Sequence, residues 1–346
     1  MTAAVLPAND PRAVDAAIEA IARGGLVIMP TETVYGLAID PGSPAALTRL
    51  YELKQRDRGK PLTRFIADPG LVARFDPLLR APAARCAARC MPGPLTMVIE
   101  DSRGAFTGVR MPAHPVARAV TAGLPCLCAV TSVNRSGEPP LARIADIKAA
   151  FGPSVDLIID DGDLAGTPST VAEFGRRGIR ILREGDMSLD AVRDAATVTI
   201  LFVCSGNICR SAAAEYYLRQ ALRLRLGPAD LEACGYRVRS AGTLGLVGNG
   251  PPEEVVRIMA KEGIDLRDHL STALSAQIVA GADRIFVMDE GHMIHMRAAY
   301  PAVIGRTRLL RADGRDIEDP YEGPARLYER VMSEIRQSVM EVASGI

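Results

Sequence analysis

Short, largely apolar runs alternate with amphipathic stretches along almost the whole chain. Residues 25–29, 95–99, 126–130 and 156–159 are runs of strand length, and helical stretches separate them. A mixed α and β unit is therefore predicted over 13–183. Within it, Ser43 and Pro44 form a helix start, a capping hydroxyl followed by proline at the first helical position, with Leu47, Leu50 and Tyr51 on one face. Residues 188–196 read as a short helical tail or linker. A second unit opens at 199–203, an apolar run that reads as a buried strand and leads through a loop into a helical stretch at 212–226. Helical stretches at 253–262 and 325–342 and a strand at 284–288 follow. Strands separated by helices predict a parallel sheet with helices on both faces. The fold class is α/β, with a mixed α/β domain placed at 8–190 and a doubly wound parallel-sheet domain at 198–346.

At 346 residues the chain exceeds what one core ordinarily supports, and its 48% hydrophobic content supplies apolar material for two. The formal net charge is zero, which excludes a whole-molecule electrostatic nucleic-acid binder and leaves room only for a local basic surface. Residues 1–7 lack a basic leader followed by an apolar core, and no later apolar stretch reaches the roughly 18 to 20 residues that span a bilayer. A cytoplasmic location with no membrane partner is expected. The seven cysteines have neither disulfide-framework nor zinc spacing, which suits a reducing compartment. Cys126 and Cys128 read as buried strand packing, and no metal site is predicted.

The strongest local signal is Cys204-Ser205-Gly206-Asn207-Ile208-Cys209-Arg210-Ser211, lodged between a predicted strand and a predicted helix. Such a loop can wrap one phosphate, with its backbone N–H groups pointing inward and the helix presenting its positive end. The same dipoles favour a thiolate at Cys204. Arg210 has the planar fork to hold two phosphoryl oxygens, Gly206 permits a positive φ, and Asn207 tolerates one. These residues resemble the signature of the low-molecular-weight protein tyrosine phosphatases, and the resemblance extends to Ser240-Ala241-Gly242-Thr243, Met288-Asp289-Glu290 and Asp319-Pro320-Tyr321. It implies that Cys204 attacks phosphorus, Arg210 binds the phosphoryl group, Ser211 steadies the thiolate and Asp319 protonates the leaving oxygen. The implied substrate is a phosphoprotein or small phosphoester, and no cofactor is needed. Ala212 stands where that family usually has proline, and Leu246 where an aromatic residue commonly lines the slot. No cysteine follows Cys234, which argues against the related arsenate reductases.

The first half carries no nucleophile constellation but a scatter of hydroxyls and cations. Pro30-Thr31-Glu32-Thr33-Val34-Tyr35-Gly36 follows a strand, Lys54, Arg56, Arg58 and Lys60 alternate after a helix, and Arg110, Ser132 and Asn134 end later apolar runs. In an extended segment the four alternating cations would form one rake of positive charge suited to a triphosphate; a solvated helix end is the plainer alternative. With Pro92-Gly93-Pro94-Leu95-Thr96, Pro168-Ser169-Thr170-Val171 and Leu182-Arg183-Glu184-Gly185, these segments resemble the YrdC-type threonylcarbamoyl-AMP synthase family over residues 10–190. The resemblance implies a reaction of L-threonine, bicarbonate and ATP to threonylcarbamoyl-AMP and pyrophosphate, in service of tRNA modification by a downstream threonylcarbamoyl transferase complex. The cleft residues it implies are Thr31, Thr33, Tyr35, Lys54, Arg56, Lys60, Arg110, Ser132, Asn134, Ser169 and Arg183. Hydroxyls would orient the ligands, Tyr35 would cover them, and Mg2+ would arrive on ATP. A carbamoyltransferase-like first half, or a double-stranded RNA or tRNA-binding module without synthesis, remains open at this point.

Overall fold

The structure is a computed structural model that describes residues 3–227 and 230–346. The chain divides into two compact units, one ending at Ala196 and the other beginning at Thr197. The helix Leu189–Ala196 falls in the first of these rather than between them: Val192 and Ala196 are buried, and Arg85 Nη1 donates to the carbonyls of Asp194 and Ala195, each at 3.3 Å. Among the described residues, no helix is long and apolar enough to cross a membrane.

Ten strands form the sheet of the first unit. Its middle runs Val27–Met29, Gly36–Ile39, Ala129–Ser132, Thr63–Phe65, Phe106–Arg110 and Leu95–Glu100 from one neighbour to the next, in mixed directions. Residues 26–29 are apolar without alternation because both faces are covered. Val27 and Met29 face Ala17 and Ile21 of the helix Ala13–Ala22 together with Val116 and Val120 of the helix Pro115–Gly123. Leu26 and Ile28 face Leu50 of the helix Pro44–Lys54 together with Ile147 and Phe151 of the helix Ile144–Phe151. The predicted start at Ser43 and Pro44 is present, with Ser43 Oγ accepting from Ala46 N at 3.3 Å. A Cβ at Gly36 would stand 2.8 Å from Val130 Cγ1 and would force that buried side chain to shift.

Two expectations need correction. The strand expected at 126–130 begins only at Ala129, because the helix before it ends at Gly123 and the chain, through Pro125, crosses to the sheet over the next residues. Cys128 is buried as expected, but Cys126 is half-buried and donates to Asp40 Oδ1 at 3.4 Å. The cationic rake does not form. Lys54 is the last helical residue, and Gln55 caps the helix in the left-handed conformation at φ 50°, so no extended segment holds the four cations in line.

The second unit is a four-stranded parallel sheet in the order Tyr236–Gly242, Val198–Cys204, Arg284–Val287, Thr307–Leu309. Leu201, Val203, Ile285 and Val287 pack with Met293 and Met296 of the helix Glu290–Ala299. The chain order reverses on either side of Val198–Cys204, and in such sheets ligands bind at the carboxyl ends of strands at that switch point. Cys204 is the terminal residue of that strand and is registered with Gly242.

Candidate active sites

In the first unit, a cavity of about 260 Å³ opens over the sheet and takes Arg56, Arg110 and Arg183 into one lining with Thr31, Ser132 and Ser169. Thr31 shapes its rim: its hydroxyl donates to Val34 O at 2.6 Å and accepts from Val34 N at 3.2 Å, closing a turn after the strand Val27–Met29. Thr33 lies behind that rim, 2.9 Å from Thr31 Oγ1, and accepts from Arg110 Nη2 at 2.9 Å. The same Nη2 donates to Glu32 Oε1 at 2.9 Å, and Arg110 Nε donates to Gly93 O at 3.3 Å. Burial pushes the Glu32 carboxyl up, but the Arg110 guanidinium outweighs it and holds the group below its ordinary range. Arg183 is clamped to Ser169, with Nη2 donating to the carbonyl at 2.8 Å and to Oγ at 3.1 Å. Burial and the like charge of Arg110 both push Arg183 down.

No Asp or Glu among the described residues lines this cavity. Arg56 donates Nη2 to Pro61 O at 2.9 Å, while its Nε is buried with no protein acceptor among the described residues. Three guanidiniums around an acid-free space, one with an unsatisfied donor, make a site for a polyanion.

The remaining predicted residues take other places. Tyr35 is a floor rather than a cover: its hydroxyl donates to Gly162 O at 2.8 Å and accepts from Asp161 N at 2.9 Å, and burial pushes it up to about 12, so it stays neutral. Lys60 is exposed and outside the cavity lining. Lys54 and Asn134 sit behind the wall. Lys54 Nζ donates to Ser132 O at 2.5 Å, Asn134 O at 2.7 Å and Asn134 Oδ1 at 3.1 Å. Burial and the neighbouring Arg56 push Lys54 down to about 7, whereas three oxygens in reach require all three ammonium protons; the geometry favours the cation. Its work is to pin the segment that presents Ser132. We expect Lys54→Met to destabilise the first unit, at about 1–3 kcal/mol for each stranded acceptor, read as a lowered denaturation midpoint. An unchanged midpoint would remove this pinning role. Thr96, missed by sequence reasoning as a site residue although its motif was noticed, lines the cavity and lies 3.0 Å from Ser169 Oγ.

The second unit holds a cavity of about 160 Å³ lined by Cys204, Arg210, Asp319 and an apolar rim of Ile208, Leu244, Leu246 and Tyr321. Every catalytic candidate named from the sequence is therefore in one place. Asn207, not Gly206, takes the positive φ, at 55°. A Cβ on Gly206 would meet only ordinary contacts, whereas one on Gly242 would stand 2.7 Å from Ser205 O. The glycine the loop needs is thus the one on the neighbouring strand.

A directed relay runs into the nucleophile. Ser240 donates its hydroxyl proton to the Glu215 carboxylate, so its oxygen can only accept, and it does so from Asn207 Nδ2 at 2.8 Å. Asn207 Nδ2 also donates to Ser211 Oγ at 2.9 Å, while Thr272 N donates to Asn207 Oδ1 at 2.8 Å and fixes the amide's orientation. Ser211 Oγ lies 3.0 Å from Cys204 Sγ and keeps its own proton to donate to a thiolate there, and Asn207 N adds a second donor at 3.3 Å. Cys209, also buried, is pushed up to about 12 by burial and by the charges of Cys204 and Asp319, so it remains a thiol.

Four N–H donors of Arg210 meet protein acceptors. Nη1 donates to Asp289 Oδ2 at 2.8 Å and Ile317 O at 3.1 Å, and Nη2 donates to Asp319 Oδ2 at 2.5 Å and Ser205 Oγ at 3.1 Å. Burial pushes the Asp289 carboxyl up, but hydrogen bonds from His292 and the charge of Arg210 outweigh it and hold it well below the usual range. His292 Nε2 lies 3.0 Å from Ser205 Oγ. Sequence reasoning left Ser205, Asp289 and His292 out of the site. The available signal was the place of Met288-Asp289-Glu290 just past a predicted strand's carboxyl end, where ligands gather in parallel sheets.

Comparison with known proteins divides the chain at the same region. The Sua5/YciO/YrdC family model, described as telomere recombination, matches residues 19–185, and the low molecular weight phosphotyrosine protein phosphatase model matches residues 199–346. The threonylcarbamoyl-AMP synthase of Chromohalobacter salexigens is 40% identical over 174 residues, covering 46% of this chain and 90% of that protein. A probable low molecular weight protein-tyrosine-phosphatase EpsP of Ralstonia nicotianae is 36% identical over 142 residues, covering 41% of this chain and 90% of that protein. Among solved structures, Vibrio vulnificus Wzb in complex with benzylphosphonate aligns at 26% identity and a TM-score of 0.39, over 43% of this chain and 99% of that one. The chain is a fusion of two enzyme families: its first unit belongs to the Sua5/YciO/YrdC family and its second to the low molecular weight phosphotyrosine protein phosphatases.

Proposed function

We propose that the first unit condenses L-threonine, bicarbonate and ATP, and that the second hydrolyses phosphomonoesters through a phosphocysteine. The first reading is carried by the acid-free cavity that joins Arg56, Arg110 and Arg183. Threonine's amine adds to bicarbonate carbon with loss of water, and the resulting carbamate oxygen attacks the α-phosphorus of ATP, releasing pyrophosphate. The threonine carboxylate, bicarbonate, the nascent carbamate and the ATP phosphates are all anionic groups, so the chain's part is to hold them together against repulsion in a water-poor space. Magnesium would come with ATP, where it neutralises phosphate charge. Among the described residues no group of three or more His, Cys, Asp or Glu is placed together to hold a metal ion. The product would pass to tRNA through a separate transferase complex, and a cytoplasmic location goes with that reading.

The second reading is carried by Cys204, Arg210 and Asp319 lining one cavity. Cys204 sulfur bonds to phosphorus as the ester oxygen leaves with a proton from Asp319, and water then attacks the phosphocysteine, with Asp319 taking up its proton. A phosphorylated protein is the substrate class proposed. The deciding experiment for the first unit incubates the purified chain with ATP, L-threonine and bicarbonate and looks for the threonylcarbamoyl adenylate by mass. Pyrophosphate release that ignores threonine would overturn the reading. We also expect the chain cut between Ala196 and Thr197 to give two soluble pieces, each with its own activity, because each unit has its own core. Loss of the cooperative thermal transition in both pieces would refute that independence.

A further inference from the structure

The first unit carries four cysteines that the proposed chemistry does not use, and two of them touch. Cys86 and Cys90 lie one turn apart at the end of the helix Arg80–Cys90, with their Sγ atoms 3.9 Å apart. Cys86 is buried, and Cys90, the last helical residue, is half-buried. Their contact polarises them. Cys86 Sγ donates to Cys90 Sγ, which holds the Cys90 thiol below its ordinary range against the opposing effect of burial, with the Arg89 charge assisting. The same contact, with burial, pushes Cys86 up. The reachable sulfur is therefore the more nucleophilic one, and its partner is already in contact with it.

We propose that Cys86 and Cys90 form a peroxide-sensitive dithiol whose closure to a disulfide disturbs the arginine cavity. Cys90 sulfur attacks one oxygen of hydrogen peroxide; the S–O bond forms, the O–O bond breaks, and the other oxygen leaves as water after taking a proton. Cys86 sulfur then attacks Cys90 sulfur, forming the S–S bond, while the sulfenic oxygen departs as a second water with the Cys86 proton. Two thiols are oxidised by two electrons in all, and one peroxide is reduced to two waters.

Helical geometry makes this modification consequential. Residues four apart on a helix hold their Cβ atoms about 5–6 Å apart, whereas a disulfide needs about 3.5–4.5 Å. The bond cannot close on an intact turn, so the last turn must give. Cys90 is placed to move, since Met91 after it is already extended at ψ 136°. What moves with it is Gly93, packed so closely that a Cβ there would stand 2.6 Å from Cys90 O. Gly93 O accepts from Arg110 Nε at 3.3 Å, and Gly93 N donates to Met111 O at 2.9 Å. Closure therefore pulls on one of the three residues that hold Arg110, the others being Glu32 and Thr33. The effect on turnover rests on the synthase reading; the disulfide itself does not.

The test treats the full chain with hydrogen peroxide, blocks free thiols by alkylation and maps peptide masses, with threonine-dependent pyrophosphate release measured alongside. We expect the segment carrying Cys86 and Cys90 to escape alkylation and to lose the mass of two hydrogens, with pyrophosphate release falling by roughly fivefold or more. Dithiothreitol should reverse both, and Cys90→Ser and Cys86→Ala should each keep their activity through the treatment. Alkylation of both cysteines after peroxide would overturn the proposal, as would a closed disulfide with turnover unchanged. An untreated chain that never releases pyrophosphate would instead overturn the synthase reading, and the peptide masses would still decide whether the disulfide forms.

Discussion

Cys204→Ser is expected to abolish phosphatase turnover altogether, while Asp319→Asn slows hydrolysis of an ester with a poor leaving group by roughly 10² to 10⁴-fold. The two variants separate nucleophile from acid. An ester whose leaving group is already acidic needs little protonation, so its phosphoenzyme should form almost normally in Asp319→Asn and not at all in Cys204→Ser. The structure sharpens the contrast, because Asp319 is tied to Arg210 and its Oδ1 accepts from Tyr321 N at 3.2 Å. A carboxylate that merely braced Arg210 would affect both esters alike. Equal losses in single-turnover measurements, with the fold intact, would assign Asp319 to positioning and leave the proton donor elsewhere.

Arg110→Met is expected to lower threonine-dependent pyrophosphate release by roughly 10² to 10³-fold, the usual cost of losing a preorganised electrostatic donor, and to leave the phosphatase untouched. Arg110 reaches Glu32, Thr33 and Gly93 from one buried guanidinium. Lysine, a single-point cation, cannot replace that fork, so Arg110→Lys should not rescue the rate. A synthase rate equal to that of the parent chain in either variant would remove Arg110 from the site.

The phosphatase half was the more legible from sequence because its chemistry is local. Cys204 to Ser211 sit in one strand-loop-helix unit, so their spacing is enough to bring Cys204 and Arg210 to one cavity. The arginine cavity is assembled from distant segments: Thr31, Arg56, Arg110, Ser132, Ser169 and Arg183 come together only once the ten-stranded sheet is built. Sequence could name those residues by resemblance, yet it could not tell a lining residue from a supporting one, which is why Lys54, Asn134 and Lys60 were placed in the cleft. The short strand Thr307–Leu309 and the strand Tyr236–Gly242 with its alternating Arg237 and Arg239 gave weak apolar signals. Gly242 and Asn207 divide the backbone demands of the loop in a way that only the packed neighbour strand reveals.

The relay from Glu215 to Cys204 also constrains how this half can change over evolutionary time. The sense of its hydrogen bonds is set from two sides: the Glu215 carboxylate accepts from Ser240, and Thr272 N holds the Asn207 amide with Nδ2 donating to Ser240 and Ser211. Exchanging Asn207 for aspartate would leave Ser240 and Ser211 facing an acceptor where they now meet a donor. Exchanging Glu215 for glutamine would no longer oblige Ser240 to donate towards it, although Thr272 N still holds the Asn207 amide with Nδ2 towards Ser240 and Ser211. Glu215, Ser240, Asn207 and Ser211 therefore behave as one heritable unit spread over four positions. Functional variants of this phosphatase should alter them in compensating combinations rather than one at a time.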